Sequence, residues 1–166
     1  MIKVKKNIQI KIIYTANNLV KPQTILLKLY KKQNVLNGSW KWLNDNKVTS
    51  FMDKGHHEHT LSDQLNYFKK ISRSKKDILF AIYFRRKHIG NVGLHQINDK
   101  LKTAQFGIII GNTKYHNMGI GKQVWSEIMK FGFLRLNLRR VYTMIASKNI
   151  ASTKIAKNLG FKKMKM

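Results

Sequence analysis

Three apolar runs follow one another closely in the middle of the chain, Ile78 to Phe84, Ile89 to Ile97 and Leu101 to Ile110. Their separators, Arg85-Arg86-Lys87-His88 and Asn98-Asp99-Lys100, have the length and polarity of hairpin turns, so the runs are expected to form an antiparallel meander. A glycine-bearing loop follows, then a helix from about Gly119 to Leu136, a strand over Arg140 to Ala146, and a short helix over Ile150 to Asn158 stopped by Gly160. The order from Ile78 onward is β-β-β-α-β-α, which places the chain in the mixed α/β class.

Upstream of the meander the pattern is looser. Ile8, Ile10 and Ile12 alternate with Gln9 and Lys11, the period of a half-buried strand, and Ala16-Asn17-Asn18 reads as a turn. Thr24 to Tyr30 is a second short strand, and Gln33 to Leu43 reads as a helix broken by Gly38. Thr60 with Asp63 has the form of a capping pair, and Leu61, Leu65, Phe68 and Ile71 recur at helical steps behind it. With 166 residues and a weak boundary near Lys21-Pro22, the expected organisation is an N-terminal extension over 1–23 and one domain over 24–166.

Charge and composition narrow the function classes. The 33 Lys and Arg against 7 Asp and Glu give a net charge of +26, which favours an anionic partner. Part of this is a compositional bias towards Lys, Asn and Ile, yet Glu occurs only at Glu58 and Glu127, which that bias does not explain. A basic nucleic-acid-binding module is one competing reading. Against it, residues 1–83 carry 16 bases and 5 acids and residues 84–166 carry 17 and 2, so no basic tail exists. Only 6 of the bases are Arg, the residue suited to bidentate readout. Cysteine is absent, which excludes disulfides, thiolate metal sites and a cysteine nucleophile. No apolar stretch approaches the roughly 20 residues of a spanning helix, so a soluble, cytoplasmic protein without membrane partners is expected.

The run from Ile108 through Gly111 to Lys122 joins an apolar strand to a helix. The first amides of a helix lack intrahelical partners and carry the positive end of its dipole, so a pyrophosphate can sit there. Gly119 and Gly121 remove side chains that would hold an anion off, and Lys122 places a cation where only an anionic ligand would favour it. An ordinary tight turn remains the rival reading of this segment.

Gly119 and Gly121 match the glycines of a [Q/R]-x-x-G-x-[G/A] loop, and Asn149-x-x-Ser152 followed by Leu159-Gly160-Phe161 matches a downstream N-x-x-S/A... L-G-F ending. Together they resemble the GNAT superfamily of acetyl-CoA-dependent N-acetyltransferases, over about Thr24 to Phe161. Trp42-Leu43-Asn44-Asp45, Gly93-Leu94-His95 and Ile110-Gly111 resemble the branch shared by ribosomal-protein and bacterial amino-sugar acetyltransferases, and Trp42 to Val48 with His59-Thr60-Leu61 is more similar to the amino-sugar group. The resemblance implies a mixed, mostly antiparallel sheet flanked by helices, acetyl-CoA as cosubstrate, and a small-molecule amine acceptor on a nucleotide-linked amino-sugar. Acetylation of protein N-termini is the alternative, and an inactive remnant is a further one.

By the same resemblance, Ile108, Ile109 and Ile110 supply the amide that polarises the acyl carbonyl. His116, Asn117, Met118, Gly119, Ile120, Gly121 and Lys122 hold the pyrophosphate, and Asn149 and Ser152 meet the pantetheine arm. Asn149 reads equally well as the N-cap of the helix that follows. Three positions depart from the pattern: His116 replaces Gln or Arg, Ala156 stands where a thiolate-protonating tyrosine is usual, and Gln105-Phe106 replaces a glutamate base.

The replacement proton handlers are then few. His95 on the second meander strand is the preferred base, with a structural histidine as the rival reading; Tyr142 is the candidate acid, and Glu58 a third titratable candidate. His56-His57-Glu58-His59 lacks the H-E-x-x-H spacing of a metal site, so substrate contact is expected there and no metal. Family members usually continue for two strands past Gly-Phe, whereas this chain ends at Met166. A C-terminally short sheet is therefore expected, with an open edge covered by a second copy in a homodimer or by the N-terminal extension.

Overall fold

The computed structural model describes residues 8–15, 21–52 and 58–164. The turn expected at Ala16-Asn17-Asn18, together with Asp53, His56 and His57, lies outside the described residues. Among the described residues six strands form one sheet: β1 (Gln9–Tyr14), β2 (Gln23–Leu29), β3 (Ile78–Phe84), β4 (Lys87–Asn98), β5 (Thr103–Ile110) and β6 (Arg140–Tyr142). Their order across the sheet is their order in sequence. The first four pairings are antiparallel, as the short polar turns require for β3–β4 and β4–β5, and among the described strands only β5 with β6 is parallel.

Alternation along the strands gives the sheet two unlike faces. Phe80, Ile82, Phe84, Val92, Leu94, Ala104 and Phe106 are buried and meet helix α4 (Ile120–Lys130), which contributes Ile120, Val124, Trp125 and Ile128. This is the core. Phe106 stacks on Trp125 at 4.4 Å, and Phe161 approaches the same indole edge-on at 5.6 Å. The opposite face presents Tyr83, His88, Asn91, Gly93, His95, Gln105 and Gly107, which follow from the cross-strand register. It is covered by the segment between β2 and β3, with α1 (Lys32–Leu36), a tight turn Ser39–Asn44, α2 (Asn46–Thr49) and α3 (Leu61–Arg73). Asn34 of α1 donates to the Tyr83 hydroxyl at 2.7 Å, and Trp42 meets His88 edge-on at 4.9 Å.

β1, in the segment read as an extension, pairs with β2 along its whole length and places Ile12 and Tyr14 in the core. It forms the edge of the sheet opposite β6, so of the two expected covers for the open edge, a second copy or this segment, β1 is not the one. Other boundaries differ from expectation for local reasons. Leu101 is 66% exposed because the Asn98 side chain accepts from the amides of Lys100 and Leu101, which holds a turn until β5 begins at Thr103. Gly38, with φ +96°, separates α1 from the Ser39–Asn44 turn. The long helix expected to Leu136 ends at Lys130 and widens through Phe131–Arg135, with the Leu136 amide bonded to Phe131. The strand expected to Ala146 stops at Tyr142. Past it Met144 is 82% exposed and Ile145 still packs against the core, but the backbone no longer pairs with β5.

Helix ends follow their sequence signals. Thr60 and Asp63 form a reciprocal capping box on α3, worth about 1 kcal/mol. Helix α5 (Ile150–Asn158) closes with Gly160 in the left-handed region, the Gly160 amide on Lys157 and the Phe161 amide on Ala156. Leu-Gly-Phe is thus a helix stop that delivers Phe161 to Trp125.

Candidate active site

The turn from β5 into α4 is built from the two strands beneath it. The Asn112 amide bonds to Ile89, and its side chain accepts from the Lys114 amide, which starts a short turn over Thr113–Tyr115. Gly111 is buried, and a Cβ there would lie 1.8 Å from the Trp42 indole, so the turn requires glycine because an aromatic ring lies directly on it. His116 folds back, with Nε2 2.7 Å from the Ile110 carbonyl, and so ties the turn to β5. Tyr14 donates its hydroxyl to the Met118 carbonyl from β1. Its ring meets Phe84 edge-on at 5.6 Å, and Phe84 meets Tyr115 in the same way at 5.7 Å.

Above this support the chain opens. Asn117 and Gly119 take left-handed conformations, φ +59° and +78°, and α4 begins without a side-chain cap. The amides of Ile120, Gly121 and Lys122 therefore lack intrahelical partners. A Cβ built at Gly119 or Gly121 meets nothing within 4 Å. Gly119 needs its glycine for φ, but Gly121 has neither a backbone nor a packing reason within the protein, and glycine costs about 1 kcal/mol relative to alanine in a helix. Bare amides, open space and Lys122, exposed in the first turn, make the geometry of an anion site.

A gap lies beside it. Pairing between β5 and β6 runs from Thr103↔Arg140 to Gln105↔Tyr142 and then stops. Among the described residues no strand pairs with the outer edge of β5 over Phe106 to Ile110. The outward amides and carbonyls there are open to an extended amide chain that pairs as a strand does. Ile108, Ile109 and Ile110 are half-buried along this edge. Beyond the gap, Asn149 caps α5, its Oδ1 accepting from the Ser152 amide at 3.0 Å. The side-chain amide nitrogen is left to other partners.

The register brings the two preferred proton handlers into one row. His95 pairs with Gln105, and Gln105 with Tyr142, so all three stand on the face opposite α4. The Tyr142 hydroxyl donates to Gln96 Oε1 at 3.2 Å. His95 Nδ1 lies 3.0 Å from Asp77 Oδ1. Burial raises the Asp77 carboxyl, but hydrogen bonds from Ser74 and His95, the His95 charge and the Gln96 amide outweigh it and hold the group below the ordinary carboxylate range. Asp77 is absent from the sequence reading, although an acid directly before a buried strand was a visible signal. Glu58 stands exposed two residues before the Thr60 cap and is not part of the row.

The covering loops are tied down by residues that the sequence marked only as a motif. Asn44 accepts from the His59 amide at 2.9 Å and donates to its carbonyl at 2.7 Å, which joins Trp42-Leu43-Asn44 to His59-Thr60-Leu61. His88 stacks on Tyr83 at 5.3 Å, and its Nε2 lies 2.8 Å from Asn91 Oδ1. Burial pushes the imidazole below its ordinary value, against hydrogen bonds with Asn91 and Gly90 that raise it. Lys28 Nζ lies over the Tyr83 ring at 5.3 Å. Among the described residues no group of three or more His, Cys, Asp or Glu could hold a metal ion, and no helix is long and apolar enough to cross a membrane.

A glycine-opened helix start lies beside two parting strands. Residues 27–162 match the acetyltransferase (GNAT) domain family, and the chain belongs to it. An uncharacterized N-acetyltransferase of Bacillus subtilis (strain 168), YoaA, is 29% identical over 98 residues, 58% of this chain. That stretch is 55% of the relative, so the chain matches about half the length of it. Spermidine N-acetyltransferase from Vibrio cholerae, solved with CoA and spermine, superposes with a TM-score of 0.76 at 20% identity, over 85% of this chain and 82% of that one. A structure described as a putative acetyltransferase gives 0.68 at 13% identity, over 96% and 77%. At these identities the two structures show the fold. None of the three is an amino-sugar enzyme by name.

Proposed function

We propose that the chain is an acetyl-CoA-dependent N-acetyltransferase. One observation carries this reading: the uncapped start of α4, with Gly119 and Gly121 facing open space, stands at the end of a strand whose outer edge is unpaired from Phe106 to Ile110. In this reading the amides of Ile120 to Lys122 take the pyrophosphate, and the free edge of β5 takes the pantetheine arm. Asn149 and Ser152 flank that arm. Acetyl-CoA supplies an acetyl group activated as a thioester.

The protein has two tasks around the transfer. A backbone amide of Ile108 to Ile110 stabilises the negative charge that builds on the acyl oxygen. His95 Nε2 accepts the proton that the acceptor nitrogen releases. The acceptor lone pair forms the C–N bond, the C–S bond breaks with its electrons on sulfur, and sulfur gains a proton from Tyr142 or water. The products are an N-acetyl amine and free coenzyme A.

The acceptor we favour is a neutral or anionic primary amine, with a nucleotide-linked amino-sugar first. A polyamine needs carboxylates, and four of the described ones are already engaged. Asp45 and Asp63 cap helices, Asp77 meets His95, and Glu127 pairs with Lys130 at 3.3 Å. The net charge of +26 would repel a polycation and attract a nucleotide-sugar. Release of free thiol, followed over a panel of amino-sugar nucleotides, polyamines and peptide amines, tests this. Turnover with spermidine alone overturns the acceptor assignment, and a wild-type chain whose unfolding midpoint does not rise with coenzyme A overturns the transferase reading.

A further inference from the structure

The position of Asp77 beneath His95 has a use that packing does not require. Asp77 sits immediately before β3, where the link from α3 enters the sheet, and His95 is the last residue of the regular β4–β5 ladder before its register shifts. The two side chains are 22% and 19% exposed, for His95 and Asp77 respectively. Donors from two separate segments aim the carboxylate. Ser74 donates to Oδ2 at 2.5 Å, and the Gln96 amide, turned by a left-handed φ of +50°, approaches Oδ1 at 3.4 Å. Ser74 is itself held, because its oxygen accepts from the Lys76 amide at 3.1 Å.

The imidazole then has a prepared bed. A Cβ on Gly93 would come within 2.8 Å of His95 Nε2 and within 2.8 Å of the Ile78 carbonyl. A Cβ on Gly107, directly across from Gly93, would lie 3.8 Å from His95 Cδ2. The two glycines let the ring lie back along β4, with Nε2 above the point where β5 begins to run free of β6.

We propose that Asp77 is a positioning residue for proton removal, selecting the His95 tautomer that carries hydrogen on Nδ1 and leaves a lone pair on Nε2. This rests on the reading of His95 as the base. The physical reason is simple: an ionised carboxylate only accepts hydrogen bonds, so the nitrogen facing it must donate. An asparagine there can donate instead, which would place the lone pair on Nδ1 and the hydrogen on Nε2, the wrong end for a base. Ser74 acts one step further out, by fixing the carboxylate plane.

Asp77→Asn should lower kcat about 100-fold, the lower range for a positioned general base, with KM for acetyl-CoA unchanged. The rise in unfolding midpoint with coenzyme A should persist in the variant, which shows that it folds and binds. In 15N spectra of selectively labelled protein, His95 of the wild type should show a protonated Nδ1, and the variant should lose that signature. Ser74→Ala should give a smaller fall, about tenfold or less. Wild-type turnover in Asp77→Asn, or an unchanged His95 spectrum, overturns the proposal and leaves the transferase reading standing. Absence of any coenzyme A response in the wild type overturns the transferase reading, and the positioning role falls with it.

Discussion

The two halves of the candidate site are made in different ways. On the proposed coenzyme side stand bare amides at the start of α4 and an unpaired strand edge, and side chains matter mainly by being absent, as at Gly119 and Gly121. The opposite face, where we propose the proton transfer, brings together side chains from distant segments: Asp77 under His95, Gln105 and Tyr142 in the same row, Asn44 on His59. A backbone site tolerates almost any sequence that keeps its glycines and its fold. A side-chain site fails with one wrong group, and of the departures from the family pattern Gln105 stands in this row, whereas Phe106 and Ala156 are buried in the core.

The largest expected effect comes from the one residue that serves both sides through the core. Trp125 is 2% exposed between Phe106 of β5 and Phe161 after α5, so Trp125→Ala should destabilise the fold by about 3–5 kcal/mol, read from denaturant midpoints. A loss under 1 kcal/mol would mean the two aromatic contacts are not made. Next, Gly121→Glu should weaken coenzyme A binding at least about 100-fold by calorimetry, roughly 2.7 kcal/mol. Its own stability should not fall and should rise by up to about 1 kcal/mol, because the new side chain enters open space and removes a helical glycine. Unchanged affinity would remove the anion from the start of α4.

Tyr14→Phe is a subtler separation of the two sides. It deletes one hydrogen bond to the Met118 carbonyl and leaves the ring stack with Phe84 intact. A cost of about 1 kcal/mol, felt as a several-fold rise in KM for acetyl-CoA with kcat constant, would show that β1 supports the phosphate turn. A fall in kcat alone would place its effect on the acceptor side instead.

The smallest effect is on stability against pH. His88 is held below its ordinary value by burial, so the unfolded chain takes up that proton first. Folding stability is therefore full above about pH 6.5 and declines as pH falls from there towards the folded value. Asp77, also lowered, adds a loss only at more acid pH, where the carboxylate itself protonates. Thermal midpoints between pH 7.5 and 5 should fall in the wild type and fall less in His88→Asn.

Much of this architecture could be read before any coordinates. The three apolar runs with their short turns became β3, β4 and β5 in antiparallel register, and Thr60-x-x-Asp63 and Leu159-Gly160-Phe161 became the helix start and stop they resembled. These are local signals, set by backbone hydrogen bonding within a few residues. The extent of β6 was not readable, since whether Thr143 to Ala146 stay in the sheet depends on a distant partner strand. Nor was the role of Tyr14, which reaches Met118 across 104 positions of sequence, or that of Trp42 lying on Gly111.

The sequence by itself determined the element order, the glycine-opened start of α4 and the family, because each depends on residue type and short spacing. Only the tertiary structure decided which side chains share a face. That depends on strand register, where a shift of one residue would turn His95, Gln105 and Tyr142 to the other face and leave Asp77 without its histidine.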